Sequence, residues 1–296
     1  MTSLSRKDWV LLVLLTLFWG INWPIMKLGV QSYPPIAFRM LGMLLGLPII
    51  WIAAKMQGAS LAIPQGQTKT LVSLTIPNML VWHALIILGI KMLSSGRAAI
   101  LGYTMPVWAV LSGLLFFRER IRPLGWLGVG FALAGALLLL SSEFSAMSGQ
   151  PLGSLLVLVS AASWGYGTVV MKRTHIDMPT ISLTFWMLLL TTLTMGVLST
   201  LFERTSWRLP NTIEWGAILY NAAIVFGFAQ VVWFQLARTL PPVASSLSVM
   251  MIPVVGVFSG AWMLHETPHW QDYGAMLLIL AAMSTVLLKP AARARR

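Results

Sequence analysis

Ten apolar runs, each about as long as a helix must be to cross a bilayer, fill this chain almost from end to end. They lie at 9–30, 33–55, 69–90, 94–117, 121–142, 151–172, 179–202, 213–236, 241–263 and 269–289. The connections are short, and several carry turn residues: Tyr33-Pro34-Pro35, Arg122-Pro123 and Pro241-Pro242. A chain of this kind is expected to be an all-α integral membrane protein with ten transmembrane helices. Only 9% of its residues are charged, against roughly 25% in a soluble domain. No polar stretch is long enough for a separate aqueous domain. Arg6-Lys7 ahead of the first run resembles a secretory signal. The run continues through Trp19, Asn22, Trp23 and Pro24 without a small-x-small cleavage site, so it reads as a retained first span.

The runs are also duplicated. Trp19-Gly20 followed by Met26-Lys27 returns as Trp164-Gly165 followed by Met171-Lys172, an offset of 145 (164 − 19). Pro106, Ser112-Gly113 and Glu119 return as Pro253, Ser259-Gly260 and Glu266, an offset of 147 (253 − 106). The chain therefore divides into two homologous halves, 1–145 and 146–296, of five spans each. An odd number of crossings makes the second half enter the membrane from the opposite side, so the repeats are inverted. Duplicated, inverted hydrophobic halves are how many transporters build a central site with two gates.

Basic residues set the orientation. With the N-terminus inside, 14 of the 20 Lys and Arg fall in cytoplasmic segments, 5 in outer segments, and Arg39 lies within span 2. Both termini are thus expected to be cytoplasmic. The repeat agrees: Arg118-Glu119-Arg120 ends span 4 inside, and its counterpart His265-Glu266-Thr267 ends span 9 outside, without the arginines.

The net charge of +12 is not a nucleic-acid signature, because the basic residues are scattered through short loops. Cysteine is absent, which excludes disulfides and thiolate metal sites. No acid pair or metal-ligand spacing supports an enzyme; His265 and His269 flank a loop with Pro268. No cofactor or metal is expected. Rings of charge and filter-like runs are missing too, which disfavours a channel.

Phe18-Trp19-Gly20, Ala37-Phe38-Arg39 and the run from Ala98-Ala99 through Pro106 to Glu119-Arg120, repeated more loosely from Ser245 to Glu266, resemble the EamA-type members of the drug/metabolite transporter superfamily. The resemblance covers essentially the whole chain. It implies a fold of two inverted five-helix repeats and the export of small metabolites. The many tryptophans make the chain most similar to the bacterial aromatic amino acid exporters of that family, which implies the inner membrane.

Polar and aromatic residues at mid-membrane depth are the candidate substrate contacts. Trp19, Asn22, Trp23 and Met26 share one face of span 1 by their spacing; Trp164 and Thr168 are the counterparts of Trp19 and Trp23 in span 6. Such tryptophans also serve as packing or interfacial residues, as Trp9, Trp207, Trp215 and Trp270 at span ends are expected to do. Span 3 offers Asn78, Trp82 and His83; span 8 offers Gln230, the counterpart of His83, and Trp233. The alternative for these polar groups is bonding between helices. Tyr103 lies one turn before Pro106. Pro106 and Pro253, near the middle of spans 4 and 9, are expected to kink their helices and act as hinges. Arg39 either snorkels outward, pairs with a substrate carboxylate, or serves the fold and its gating, and the last is preferred. Gly42/Gly46 and Gly256/Gly260 read as close-packing motifs.

All 8 acids, from Asp8 to Asp272, fall in loops or at span ends. A cation/proton antiporter usually needs a mid-membrane carboxylate. A neutral or zwitterionic substrate, an aromatic or large apolar amino acid above all, therefore fits better; export of lipophilic cationic drugs through cation–π contacts is the alternative. Transport is expected to proceed by rocking the two repeats about the central site. The partners expected are a small-molecule substrate and the bilayer, with the chain acting as a monomer.

Overall fold

The computed structural model describes residues 6–120, 123–145, 150–230, 232 and 242–287. Among them there are helices and no strands. In chain order the helices are α1 (Arg6–Val30), α2 (Pro35–Met56), α3 (Thr68–Met92), α4 (Ser95–Phe117) and α5 (Pro123–Ser145). The second set is α6 (Pro151–Arg173), α7 (Thr180–Phe202), α8 (Thr212–Ala229), α9 (Pro242–Leu264) and α10 (Trp270–Leu287). Eight of them, α1 to α8, have the length and hydropathy of a membrane crossing; within α9 the apolar stretch Met250–Leu264 is shorter.

Three of these helices are not uniform. In α3 the segment Ile76–Val81 is π-helical, and in α8 so is Asn221–Ala229. Pro77 has no N–H to give the helix ladder, and Ser163 on α6 donates its hydroxyl to the Pro77 carbonyl at 3.0 Å. Helix α4 breaks at Tyr103-Thr104, so Pro106 sits in the first turn of the second segment, Met105–Phe117, instead of kinking a continuous helix. There its missing N–H costs nothing. Pro253, by contrast, lies inside an unbroken α9.

The packing obeys an exchange of α1 with α6, α2 with α7, and so on to α5 with α10. Helix α1 packs on α9, and its counterpart α6 packs on α4. Helix α3 packs on α6, and α8 on α1. Three counterpart pairs touch directly, α2–α7, α4–α9 and α5–α10, and each pair is antiparallel. Gly128 lies against Thr285 and Gly135 against Ile279. Ser95, at the start of α4, meets Glu266 just past the end of α9. Ala37, near the start of α2, meets Glu203 at the end of α7. Counterparts running in opposite directions define inverted repeats.

In lipid the close fit of backbones, not water exclusion, holds helices together. The glycine after each repeated tryptophan serves this purpose. A Cβ on Gly165 would stand 2.7 Å from the Met105 carbonyl and the Ala109 nitrogen, so α6 and α4 touch backbone to backbone. Outward faces carry Leu133, Leu137, Leu193, Val197, Trp262 and Leu277, all exposed, as a lipid-facing surface requires. Trp9, Trp207, Trp215 and Trp270 are exposed as well.

Candidate functional site

The expected contacts gather in three places. Trp23 is buried against Gly102 and Gly256, with its ring 6.2 Å from that of Tyr103 in an edge-on arrangement. Tyr103 is itself buried where α4 breaks. Trp82 and Trp164 form a second aromatic pair, centroids 5.2 Å apart, that joins α3 to α6 across the repeats. Trp19 is half-buried beside the same core.

The third place is polar. Arg39 is only 2% exposed, so it does not snorkel. It points inward, where its Nη1 donates to Asn221 Oδ1 at 3.3 Å and its Nη2 meets the Met26 sulfur. Its guanidinium carbon lies 5.9 Å from the Phe226 ring centroid, and the His83 ring lies 5.5 Å from the same centroid, edge-on. Gly42 and Gly46 explain the neighbourhood: a Cβ on Gly46 would stand 2.9 Å from the Phe226 Cβ, and one on Gly42 3.3 Å from the Asn221 Cβ. The close approach of α2 to α8 thus delivers Asn221 and Phe226 to Arg39. Asn221 opens the π-helical segment of α8, and π segments recur at functional sites.

Other candidates stand apart. Asn78 donates to the Leu74 carbonyl of its own helix at 2.9 Å and fills the space that Gly167 leaves. Thr168 donates to the Trp164 carbonyl, also on its own helix. Asn22 and Gln230 are buried. Trp233 lies outside the described residues.

Carboxylates that sequence reasoning set aside as loop residues interlock the two repeats at one end of the bundle. Glu203 accepts from the backbone N–H groups of Ile36 and Ala37 at 2.9 and 2.8 Å, at the start of α2. Glu266 accepts from the N–H groups of Ser95 and Gly96 at 2.7 and 3.2 Å, and from the Ser95 hydroxyl at 2.9 Å, at the start of α4. A carboxylate at a helix N-terminus is met by free donors and a favourable dipole. Asp272 pairs with Arg97 at 2.7 Å. Glu214 closes the capping box of α8, accepts from Ser32 at 3.0 Å and pairs with Arg208. That hydrogen-bonded carboxylate pushes the Arg208 guanidinium above its ordinary value. Beside this interlock, between α4, α5, α9 and α10, lies a cavity of about 720 Å³ lined by Arg97, Gln150, Glu266, His269 and Asp272.

The opposite end is built differently. Arg118 and His265 both take a left-handed backbone, with φ of 55° and 54°, so α4 and α9 end in the same hook. In it the Glu119 N–H returns to the Gly113 carbonyl, as that of Glu266 returns to Gly260. Yet Glu119 pairs with Arg173 in an exposed contact. The residue equivalent to Ser95 is Pro242, which has no N–H to offer.

The profile of the EamA-like transporter family matches residues 8–141 and again 151–288. The chain is 28% identical over 263 residues to "Uncharacterized transporter YoaV" of Bacillus subtilis, covering 86% of this chain and 88% of that one. It is 26% identical over 288 residues to "Probable amino-acid metabolite efflux pump" of Escherichia coli K12, covering 93% of each. A solved crystal structure shares the fold, with a TM-score of 0.66 at 22% identity over 96% of this chain and 98% of that chain. Two matched copies of one profile, laid over two antiparallel sets of five helices, make this chain a member of the EamA-like transporter family.

Proposed function

We propose that this chain exports small neutral or zwitterionic metabolites, aromatic or large apolar amino acids foremost, across the inner membrane by alternating access. The moving bodies are the halves 1–145 and 146–296, and both termini face the cytoplasm. One observation carries the reading. The buried centre combines aromatic pairs with hydrogen-bonding side chains, while each described carboxylate lies at an end of the bundle. Aromatic rings favour a large apolar side chain, and the amides, His83 and Arg39 suit a polar head group. The name of the Escherichia coli relative, an amino-acid metabolite efflux pump, supports the same class. In this reading Trp19, Trp23, Trp82, Tyr103 and Trp164 frame the apolar part of the site. Asn22, Asn78, His83, Thr168 and Gln230 are its polar candidates, with Trp233 beyond them. Pro106 and Pro253 serve the moving helices.

Uptake by proteoliposomes tests this. Tryptophan or phenylalanine should be transported, and His83→Ala or Trp164→Ala should slow transport by roughly 10-fold or more, as expected for losing one good contact, with membrane insertion unchanged. Transport of lipophilic cations without any amino acid would replace this reading with drug export.

A further inference from the structure

A buried guanidinium is expensive unless it is paired. Removing an ion from water costs several kcal/mol even after relaxation, and arginine stays charged under nearly all conditions. Arg39 has no carboxylate partner among the described residues. Its neighbours are one amide oxygen, a thioether and an aromatic ring. Its Nε is buried with no hydrogen-bond partner among the described residues. Two further orphans stand on neighbouring helices of the same repeat: Asn22 Oδ1 on α1 and His83 Nδ1 on α3. Asn22 is one turn from Met26, which touches Arg39, and His83 shares the Phe226 ring with it.

Buried polar groups without partners are rare and call for an explanation. Here the orphans are of complementary kinds. The guanidinium lacks an anion, and its Nε edge is the side from which arginine grips a carboxylate with two parallel bonds. The Asn22 oxygen lacks a donor, and an ammonium is a donor.

We infer that Arg39 is the receptor for the substrate's carboxylate and Asn22 Oδ1 the acceptor for its ammonium, so that the transported class is solutes carrying both groups. This rests on the proposed amino-acid export and makes it specific. The second repeat cannot form an equivalent site: the counterparts of Arg39, Asn22 and His83 are Thr184, Gly167 and Gln230. One substrate molecule is therefore held off-centre, by the first repeat, with its side chain toward the aromatic pairs.

The test is a binding panel on the purified full-length chain. It compares tryptophan, tryptophan amide and tryptamine, which lack the carboxylate, and indole-3-propionate, which lacks the ammonium. In the wild type, tryptophan should bind roughly 10- to 100-fold more tightly than each analogue, the range of a charge-assisted hydrogen bond. In Arg39→Gln that advantage over tryptamine should vanish while tryptamine affinity holds; Arg39→Lys should keep part of it. In Asn22→Leu the advantage over indole-3-propionate should vanish instead. Equal binding of tryptophan and tryptamine by the wild type overturns the carboxylate site, and needs no variant to fold. Absence of binding and uptake for every amino acid, with lipophilic cations bound, overturns the amino-acid reading itself.

Discussion

Single residues decide how closely these helices can approach. Gly165 is the clearest case, because its missing Cβ admits the α4 backbone. Gly165→Ala should lower thermal stability in detergent by about 1–3 kcal/mol, the usual cost of overpacking, as read from a thermal unfolding curve against wild type. Gly130, which has open space around it, is the control: Gly130→Ala should be neutral or slightly stabilising. The site is less legible at this scale than the packing. The pattern Trp19, Asn22, Trp23, Met26 marks one face of α1, and the tryptophan-glycine echo marks the contacts beneath it. The Arg39 neighbourhood could not be read the same way. Its partners Asn221 and Phe226 stand far along the chain, Asn221 at a separation of 182 residues, on a helix whose π-helical turn no local pattern announces.

Among the elements, the helix N-termini of α2 and α4 are the parts that sequence reasoning overlooked. Glu203 and Glu266 stood out only as acids near loops, because their partners are backbone N–H groups 166 to 171 residues away. A backbone donor leaves no mark in a sequence. The break in α4 is hidden for a related reason: Pro106 signals a disturbance but not whether the helix bends or restarts. Once seen, the interlock has a direct consequence. Each carboxylate bond to a helix start is charge-assisted and worth about 1.5–3 kcal/mol. Glu266→Gln should therefore raise the solvent accessibility of a cysteine placed at Ser94 by roughly 10-fold in labelling rate. The same measurement on Glu119→Gln, whose carboxylate pairs with the exposed Arg173, should show little change, in line with the small worth of surface ion pairs.

Across the whole molecule, the spans and their inversion were legible because two independent signals agree. Apolar runs count ten crossings, and five per half must invert the second copy. The antiparallel pairs α2–α7, α4–α9 and α5–α10 express the same fact in space. What the count of spans does not convey is the inequality of the two ends. Four acids from the second repeat, Glu203, Glu214, Glu266 and Asp272, hold the first repeat at one end, whereas at the other Pro242, which has no N–H, stands at the position of Ser95. Alternating access then requires that one end opens only while the other stays closed. Because the chain has no cysteine, spin labels can be placed in pairs without removing native residues. One pair, at Gln31 and Thr267, spans the interlocked end; the other, at Arg120 and His175, spans the opposite end. Electron–electron distances should show both pairs short in the wild type, the second because it flanks the Glu119–Arg173 contact. In the double variant Glu203→Gln with Glu266→Gln, the first distance should lengthen while the second stays short. Lengthening of both pairs together would contradict alternating access of the two repeats.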